Sequence, residues 1–443
     1  MKIVALTGIL GYGYSEQALE IAFSEKVDYV GVDAGSTDPG PYYLGSGKSF
    51  TNRDNVKRDL SLALPKALKV KAPFIIGSAG GAGSSNHVNW LKDIIEEIAK
   101  EKCLSFKLGV IYTDVTNDYV LEKYNAGKVI NMSEDFNLSE TAIKNSTKIV
   151  SQIGVEPIIS MLESGADVIL CGRACDTAIY AAPCIYHGYD KGLAFHMAKI
   201  MECGAMCSEP VSAADVMQAY MEKDYFVLRP SNPIRKCKVD RVAAHTLYEQ
   251  SNPYLIFEPD GVCDLTKSKF EQVDERTVKV SGSVFTPTKR KTLKLEGVML
   301  SGYRTVCVAT INDKTTIERF EEIKGIVTNF VKENTKDIIS PADYNVNFKT
   351  CGGIENSLGI IIDVVAKTQE IADTICALYR SRMLHCDYEG RKCSAGNLAF
   401  PFSPSDIHVG EIYEFSVFHL VEVESFSETI KCFLGDVSYE KIN

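Results

Sequence analysis

The first half of the chain alternates short apolar runs with longer segments that have the apolar spacing of a helix. The apolar runs lie at residues 3–6, 29–32, 74–76, 108–111 and 168–170. Helical patterns lie between them, at residues 16–24, 55–69, 88–100 and 155–164. Buried strands that alternate with amphipathic helices are typical of β-α-β units, in which the strands run parallel. The pattern therefore predicts an α/β domain over residues 1–224, built around a parallel sheet.

The second half of the chain has a different pattern. In it, β-branched and polar residues alternate within segments that turn-forming residues separate. Strands are predicted at residues 225–228, 255–258, 277–280, 293–297 and 304–311, and a helix at residues 316–332. Beyond Pro341 the predicted order is strand, strand, helix, loop and strand. Alternation with frequent turns is typical of antiparallel sheet. We therefore predict a β-rich region over residues 225–338 with a terminal helix, and a small α+β module over residues 339–443.

Composition and charge indicate which kinds of molecule the protein binds. The chain has 443 residues, 45% hydrophobic and 24% charged content, and a formal net charge of −10. An acidic chain without a long basic block is a poor partner for nucleic acid or an anionic membrane, so a small molecule or another protein is expected. No uninterrupted apolar window approaches about 18 residues, which favours a cytoplasmic protein. The large β-rich region favours a homo-oligomer.

Fourteen cysteines are spread along the chain, and their spacing admits more than one interpretation. Those that suggest a metal or iron–sulfur centre are Cys171, Cys175, Cys184, Cys203 and Cys207. They include no C-x2-C pair, so buried thiols in a reducing compartment are the favoured alternative and no metal site is predicted. Arg173 lies between two of these cysteines, which makes a reactive thiolate a further hypothesis.

A glycine and serine loop follows the third apolar run and leads directly into a helical pattern. Its predicted anion contacts are Gly80, Gly81, Ser84, Ser85 and Asn86. Backbone N–H groups at a helix N-terminus attract negative charge, and glycines allow a ligand to approach closely. The alternative is a strand-to-helix turn with a good cap. The loop lacks the lysine of a P-loop and matches no clean G-x-G-x-x-G, so the predicted anion is left unnamed.

Polar loops also follow other predicted strands, and all should meet at one edge of the sheet. Gly11 lies in the first of them, and Asp33 ends the second run, where a ligand contact or a catalytic carboxylate is expected. Arg173 is suited to bidentate recognition of a carboxylate or phosphate, with an ion pair to Asp176 as the structural alternative. Arg53 lies at a helix start from which it could reach the same crevice. These loops predict a binding site at the sheet edge.

Proton transfer needs an acid or base at this crevice, and the candidates are Asp33, His87 and Asp176. Asp33 could instead cap its own loop through an Asx-turn. His87 lies in the first helical turn behind the glycine loop, where the helix dipole should lower its pKa and keep the imidazole neutral. Near the C-terminus, Ser403 and Asp406 lie beside prolines in a rigid loop that could close over the site or shape an interface.

Several segments share their order and spacing with a known family. They are Gly8-Ile9-Leu10-Gly11-Tyr12-Gly13, Gly172-Arg173-Ala174-Cys175-Asp176, Met201-Glu202-Cys203-Gly204-Ala205, Tyr248-Glu249-x2-Asn252-Pro253 and Pro259-Asp260-Gly261-Val262-Cys263-Asp264. Together they resemble the acyclic terpene utilisation AtuA family, and the chain after residue 393 resembles a small companion domain of that family. The resemblance implies a catabolic role in a setting of acyl-CoA intermediates. It implies no particular reaction.

Three classes of function fit these residues. The first is a lyase, a hydratase or dehydratase that acts on a small carboxylate or its CoA thioester, with Asp33 or His87 moving the proton and Arg173 holding the anion. The second is a CoA-transfer or acyl-CoA-processing enzyme. The third is a non-catalytic subunit that binds a ligand or a partner subunit. We favour the lyase, which requires no cofactor, with CoA present only as part of the substrate.

Overall fold

The computed structural model of the chain describes residues 1–133, 136–248, 252–352, 357–392 and 394–439. Glu249, which belongs to one of the family-like segments, lies outside these residues. The chain forms two compact units, one of residues 1–299 and 415–443 and one of residues 300–414.

The first unit begins with alternating strands and helices. In chain order they are β1 (Lys2–Ala5), α1 (Glu16–Ala22), β2 (Tyr29–Asp33), α2 (Tyr42–Ser46), α3 (Arg53–Val70), β3 (Phe74–Gly77), α4 (Ser85–Lys102), β4 (Ser105–Tyr112), α5 (Asn117–Asn125), β5 (Val129–Asn131), α6 (Glu140–Asn145), β6 (Lys148–Gln152), α7 (Val155–Glu163), β7 (Val168–Cys171), α8 (Ala178–Tyr186) and α9 (Lys191–Met201). Ser15, Asn52 and Thr116 cap α1, α3 and α5 through their side-chain oxygens. Such caps satisfy N–H groups that no helical carbonyl reaches, so they set where these helices begin.

The rest of the chain is richer in strands. In order they are β8 (Ser208–Glu209), β9 (Met217–Met221), β10 (Phe226–Pro230), β11 (Lys236–Cys237), α10 (Val239–Thr246), β12 (Leu255–Glu258), β13 (Gly261–Asp264), β14 (Lys269–Gln272), β15 (Val278–Ser281), β16 (Val284–Pro287), β17 (Thr292–Ile311), α11 (Lys314–Glu318), α12 (Phe320–Thr335), β18 (Tyr344–Cys351), β19 (Leu358–Ala366), α13 (Gln369–His385), β20 (Asp406–Glu422) and β21 (Lys431–Ser438). Short 3-10 helices lie at Gly204–Cys207, Pro341–Asp343 and Phe426–Thr429.

A large mixed sheet forms the centre of the first unit. Among the described residues its strand order is β14-β15-β10-β9-β1-β2-β3-β7-β4-β21. The strands from β1 to β4 in this order pair in parallel, and antiparallel strands extend the sheet on both sides. This arrangement confirms the predicted fold class, an α/β protein with a parallel sheet in its N-terminal half.

Helices cover both faces of this sheet. Ile3 and Val4 are neighbours in β1, and they belong to hydrophobic clusters on opposite faces because successive strand residues point in opposite directions. Helices α3 and α4 contribute to the cluster that contains Val4, and α7, α8 and α9 contribute to the other. The central strands are buried on both faces, so they read as continuous apolar runs.

The β-rich middle region extends the same sheet. Strands β9, β10, β15 and β14 continue it beyond β1, and residues up to 299 therefore pack within the first unit. The division of the chain into three segments, with boundaries at residues 224 and 338, stays a prediction. The two compact units are divided after residues 299 and 414. Residues 293–297 and 304–311, predicted as separate strands, belong to the single strand β17, which pairs first with β6 and then with β19.

The second unit is a small α+β module. Strand β19 pairs antiparallel with β18 on one side and with residues 303–311 of β17 on the other. Its core combines β19 residues such as Ile362 with Val327 of α12 and Tyr379 of α13. The predicted order of strand, strand and helix is observed here as β18, β19 and α13.

Candidate functional site

The candidate site is a cleft beyond the carboxyl ends of β2 and β7, within the first unit. It comprises two cavities of about 230 and 430 Å³ that share Asp38, Asp176 and Glu202. Asp33, the last residue of β2, lines the smaller cavity, and Arg173 lines the larger one. Parallel sheets leave room for ligands at this edge, because the loops after the strands diverge there. The sequence-based choice of the sheet edge therefore corresponds to a cleft.

Asp33 is buried, and its hydrogen bonding is incomplete. Its Oδ2 accepts from the Gly35 amide at 3.1 Å, whereas its Oδ1 has no hydrogen-bond partner among the described residues. The backbone of Gly77 packs closely against Asp33 Oδ1. A Cβ atom on residue 77 would lie only 2.9 Å from this oxygen. Burial raises the pKa of Asp33 well above its usual value, the Asp176 charge raises it further, and Arg173 opposes both. Burial therefore favours the protonated form of Asp33.

Arg173 is buried and directs its donors at the protein itself. Its Nε donates to Glu296 Oε2 at 2.7 Å, and its Nη1 donates to Ser78 Oγ at 3.1 Å and to Asp176 Oδ1 at 3.4 Å. Burial disfavours the charge of Glu296, but Arg173 and Lys294 outweigh it and hold its pKa at about 2. The ion pair with Asp176, the structural alternative in the sequence, is present. Direct contact of Arg173 with a substrate stays a prediction.

Three further acidic side chains line the cleft and were not selected as site candidates from the sequence: Asp38, Glu202 and Glu258. Lys199 donates to Glu202 at the end of α9, and burial raises the pKa of Glu202 well above its usual value against the opposing effect of this lysine. Glu258, the last residue of β12, accepts from Thr177 Oγ1 at 2.8 Å, and burial raises its pKa to about 8. Glu258 therefore keeps its proton near neutral pH.

A signal for both glutamates was present in the sequence. Glu202 lies within a family-like segment, and Glu258 ends a predicted strand directly before another family-like segment. Acidic residues that follow an apolar stretch and lie in or directly before a family-like segment could have been selected as site candidates.

The cysteines near the cleft are protonated thiols. Cys175 Sγ lies 3.4 Å from Thr177 Oγ1 and 3.4 Å from Glu258 Oε2, and burial raises its pKa well above the usual value. Burial likewise raises the pKa of Cys171. A thiolate nucleophile is disfavoured at both positions. Within the described part of the chain, no group of three or more His, Cys, Asp or Glu side chains is arranged to hold a metal ion.

The glycine and serine loop is buried, and the protein supplies its own anion. Ser85 donates to the Asp114 carboxylate through its backbone amide at 3.1 Å and through its hydroxyl. Gly80, Gly81 and Ser84 are buried, so these positions do not face open space as the sequence suggested. The loop therefore has the anion-binding geometry expected of a helix N-terminus, with Asp114 in the anion position. Binding of an external ligand by this loop stays a prediction.

His87 and Asn86 also make internal contacts. His87 Nδ1 lies 2.8 Å from Ser84 Oγ, and its Nε2 lies 2.9 Å from the Lys48 carbonyl, so both ring nitrogens are engaged within the protein. Burial lowers the pKa of His87, and the lowering by the helix dipole stays a prediction. Asn86 accepts from Lys148 Nζ at 3.1 Å. This geometry favours a capping role for His87 over proton transfer.

Gly11 and Arg53 lie outside the described lining of the cleft. The Gly11 amide donates to the buried Asp59 carboxylate at 3.0 Å, as the Gly13 amide does at 3.1 Å, so the first glycine loop also binds an internal anion. Arg53 Nη2 pairs with Glu97 Oε2 at 2.5 Å, and both side chains are exposed. Exposed pairs of this kind contribute little to stability.

Ser403 and Asp406 belong to the second unit. There Asp406 accepts from Arg380 Nε, at 2.8 Å to Oδ1 and 3.0 Å to Oδ2. Their predicted role as a loop that closes over the substrate stays a prediction. A separate finding concerns membranes: of the helices that the structure describes, none has the length and apolar character needed to cross a bilayer.

Comparisons with known proteins identify the family. No curated protein and no solved structure matches the chain. A family model described as "Acyclic terpene utilisation family protein AtuA" matches residues 2–352, which include every residue of the cleft. The match ends within the second unit, so the predicted companion character of the C-terminal module is not covered by it. The chain belongs to the acyclic terpene utilisation AtuA family.

Proposed function

We propose that this protein is a cofactor-independent lyase, a hydratase or dehydratase that acts on a small carboxylate or on its CoA thioester. One observation carries the proposal: the buried Asp33 carboxyl, whose pKa lies well above its usual value, shares a cleft with Asp176, which accepts from Arg173 Nη1 at 3.4 Å. A buried carboxyl group that favours its proton and a second carboxyl group in contact with a guanidinium suit general acid and general base roles.

The proposed reaction needs two proton transfers. For hydration of a double bond conjugated to a carbonyl, Asp176 accepts a proton from water while the water oxygen bonds to the β-carbon. Asp33 then donates its proton to the α-carbon, and dehydration is the reverse. Lys199 and the protonated Glu258 are donors for the negative charge that develops on the carbonyl oxygen. A proton then passes from Asp176 to Asp33 through solvent and restores both groups, so the cycle consumes water alone and the proposal includes no metal or redox cofactor.

The alternatives fit the cleft less well. Transfer of CoA through an acyl-enzyme requires an ionised carboxylate or a thiolate as nucleophile. Glu258, with a pKa of about 8, and the Cys175 thiol are both protonated near neutral pH, and Asp176, which accepts from Arg173, is assigned to the base role in this proposal. A non-catalytic subunit has no need for a buried carboxyl oxygen without a hydrogen-bond partner among the described residues, such as Asp33 Oδ1.

The test is a hydration assay in deuterated water. Branched unsaturated acids and their CoA thioesters are the first substrates, since the family is named for acyclic terpene utilisation. Mass spectrometry should detect a gain of one water and one deuterium at the α-carbon. Asp33→Asn should lower kcat by at least about 100-fold. Asp93→Asn, at an exposed position of α4, is the matched control and should leave kcat unchanged.

Other outcomes would redirect the proposal. Full activity of Asp33→Asn would exclude the assigned proton donor. CoA exchange between acyl groups without hydration would favour the transferase. Activity that requires a second, copurified chain would favour the subunit. Our proposal further includes a cytoplasmic homo-oligomer that binds neither nucleic acid nor membranes, which sedimentation and fractionation can test.

A further inference from the structure

The cationic side chains of the cleft are already engaged with acidic ones. Among the described lining residues these cations are Arg173, Lys199 and Lys294. Arg173 and Lys294 both contact Glu296, at 2.7 Å each, and Lys199 donates to Glu202. A cation that already has an acidic partner attracts an incoming anion weakly, because the partner offsets much of its field.

The acidic side chains of the cleft also disfavour a negatively charged ligand. Asp38 and Asp176 line both halves of the cleft, and a substrate carboxylate would bring its negative charge close to theirs. Like charges brought together without a compensating cation cost several kcal/mol in a partly desolvated site. The remaining acids are suited to a different kind of ligand. The Glu258 carboxyl, with a pKa of about 8, is a hydrogen-bond donor near neutral pH, and burial favours the donor form of Asp33 as well. A neutral carbonyl oxygen accepts from such donors at no cost in charge repulsion.

We propose that the cleft selects the acyl group in an uncharged form, as a thioester or ester, and discriminates against the free carboxylate. The ion pairs of Arg173, Lys199 and Lys294 and the carboxyl groups of Asp38 and Asp176 carry this inference. It rests on the proposed function and decides between the two substrate forms named there.

The experiment compares one unsaturated acyl group in four forms with the full-length protein. The forms are the free acid, the methyl ester, the N-acetylcysteamine thioester and the CoA thioester. The N-acetylcysteamine thioester is uncharged and has no nucleotide, so it separates charge at the acyl group from recognition of CoA. We expect kcat/KM for this thioester to exceed that for the free acid by at least about 100-fold.

A variant tests the physical cause. Glu202→Gln removes the acidic partner of Lys199 and should raise the affinity for the free acid relative to the methyl ester by about tenfold or more. Equilibrium binding is the readout, so the result does not depend on catalysis by the variant. Glu122→Gln, at an exposed position of α5, is the matched control and should leave the ratio unchanged.

The outcomes separate this inference from the proposed function. Turnover of the free acid with a kcat/KM equal to or above that of the thioesters would overturn the inference and leave the lyase intact. An unchanged ratio in Glu202→Gln would also overturn it. Turnover of the CoA thioester alone, with none of the N-acetylcysteamine thioester, would attribute selection to the nucleotide and overturn it. If none of the four forms is bound or converted, the proposed function itself fails.

Discussion

Glu258 offers the sharpest test of the electrostatics of the cleft. Its carboxyl group is buried at the end of β12, between the Thr177 hydroxyl and the Cys175 thiol. Burial raises its pKa from 4.5 to about 8, so the folded protein keeps a proton that the unfolded chain loses near pH 4.5. Glu258→Gln retains the shape of the protonated group and removes the titration. The variant should therefore change how stability depends on pH.

The direction and size of this change in the pH dependence of stability follow from proton linkage. Between pH 4.5 and 8 the native state binds one more proton than the unfolded state, so the free energy of unfolding falls as the pH rises. The stabilising contribution is fully present below pH 4.5 and is lost as the pH rises to 8. A difference of 3.5 units, 8 minus 4.5, corresponds to on the order of 5 kcal/mol. Across two pH units inside the window, wild type should lose about 3 kcal/mol more than the variant.

The assay is urea unfolding at a series of pH values, followed by tryptophan fluorescence. The chain has a single tryptophan, Trp90, in α4 of the first unit, which also contains Glu258. Subtracting the Glu258→Gln curve from that of wild type cancels the other titrating groups. Glu122→Gln should follow wild type at every pH. Parallel pH dependence of wild type and Glu258→Gln would refute the raised pKa and the role of Glu258 as a neutral donor.

Three further predictions concern residues around the cleft. Glu296→Gln leaves Arg173 without its main buried partner and should cost about 3–5 kcal/mol in the same unfolding assay; a loss below about 1 kcal/mol would show that the pair does not hold this region together. His87→Ala should cost about 1–3 kcal/mol through lost hydrogen bonds but leave kcat of the folded enzyme unchanged, and loss of turnover with native circular dichroism would restore His87 as a catalyst. Arg53→Ala should change the unfolding free energy by less than about 1 kcal/mol and leave KM unchanged, whereas a raised KM would return Arg53 to the binding site.

The two glycine loops show which features of a site local sequence predicts and which it does not. Glycines before a helix predict amides that attract an anion, and both loops bind one: Asp114 at Ser85, and Asp59 at Gly11 and Gly13. The local pattern indicated the chemistry of the loop but not the source of the charge. Asp59 lies in α3 and Asp114 follows β4, and their approach depends on how the chain folds between distant segments.

The sequence by itself determined the α/β architecture and the edge of the sheet where the cleft lies. Apolar runs and helical spacing are local patterns, and parallel strands bring their following loops to one edge whatever those loops contain. Tertiary structure decided which side chains share the cleft and which proton each one holds. Glu202 and Glu258 join the cleft from α9 and β12, and desolvation, which raises the pKa of both and of Asp33, arises only when these distant elements pack together.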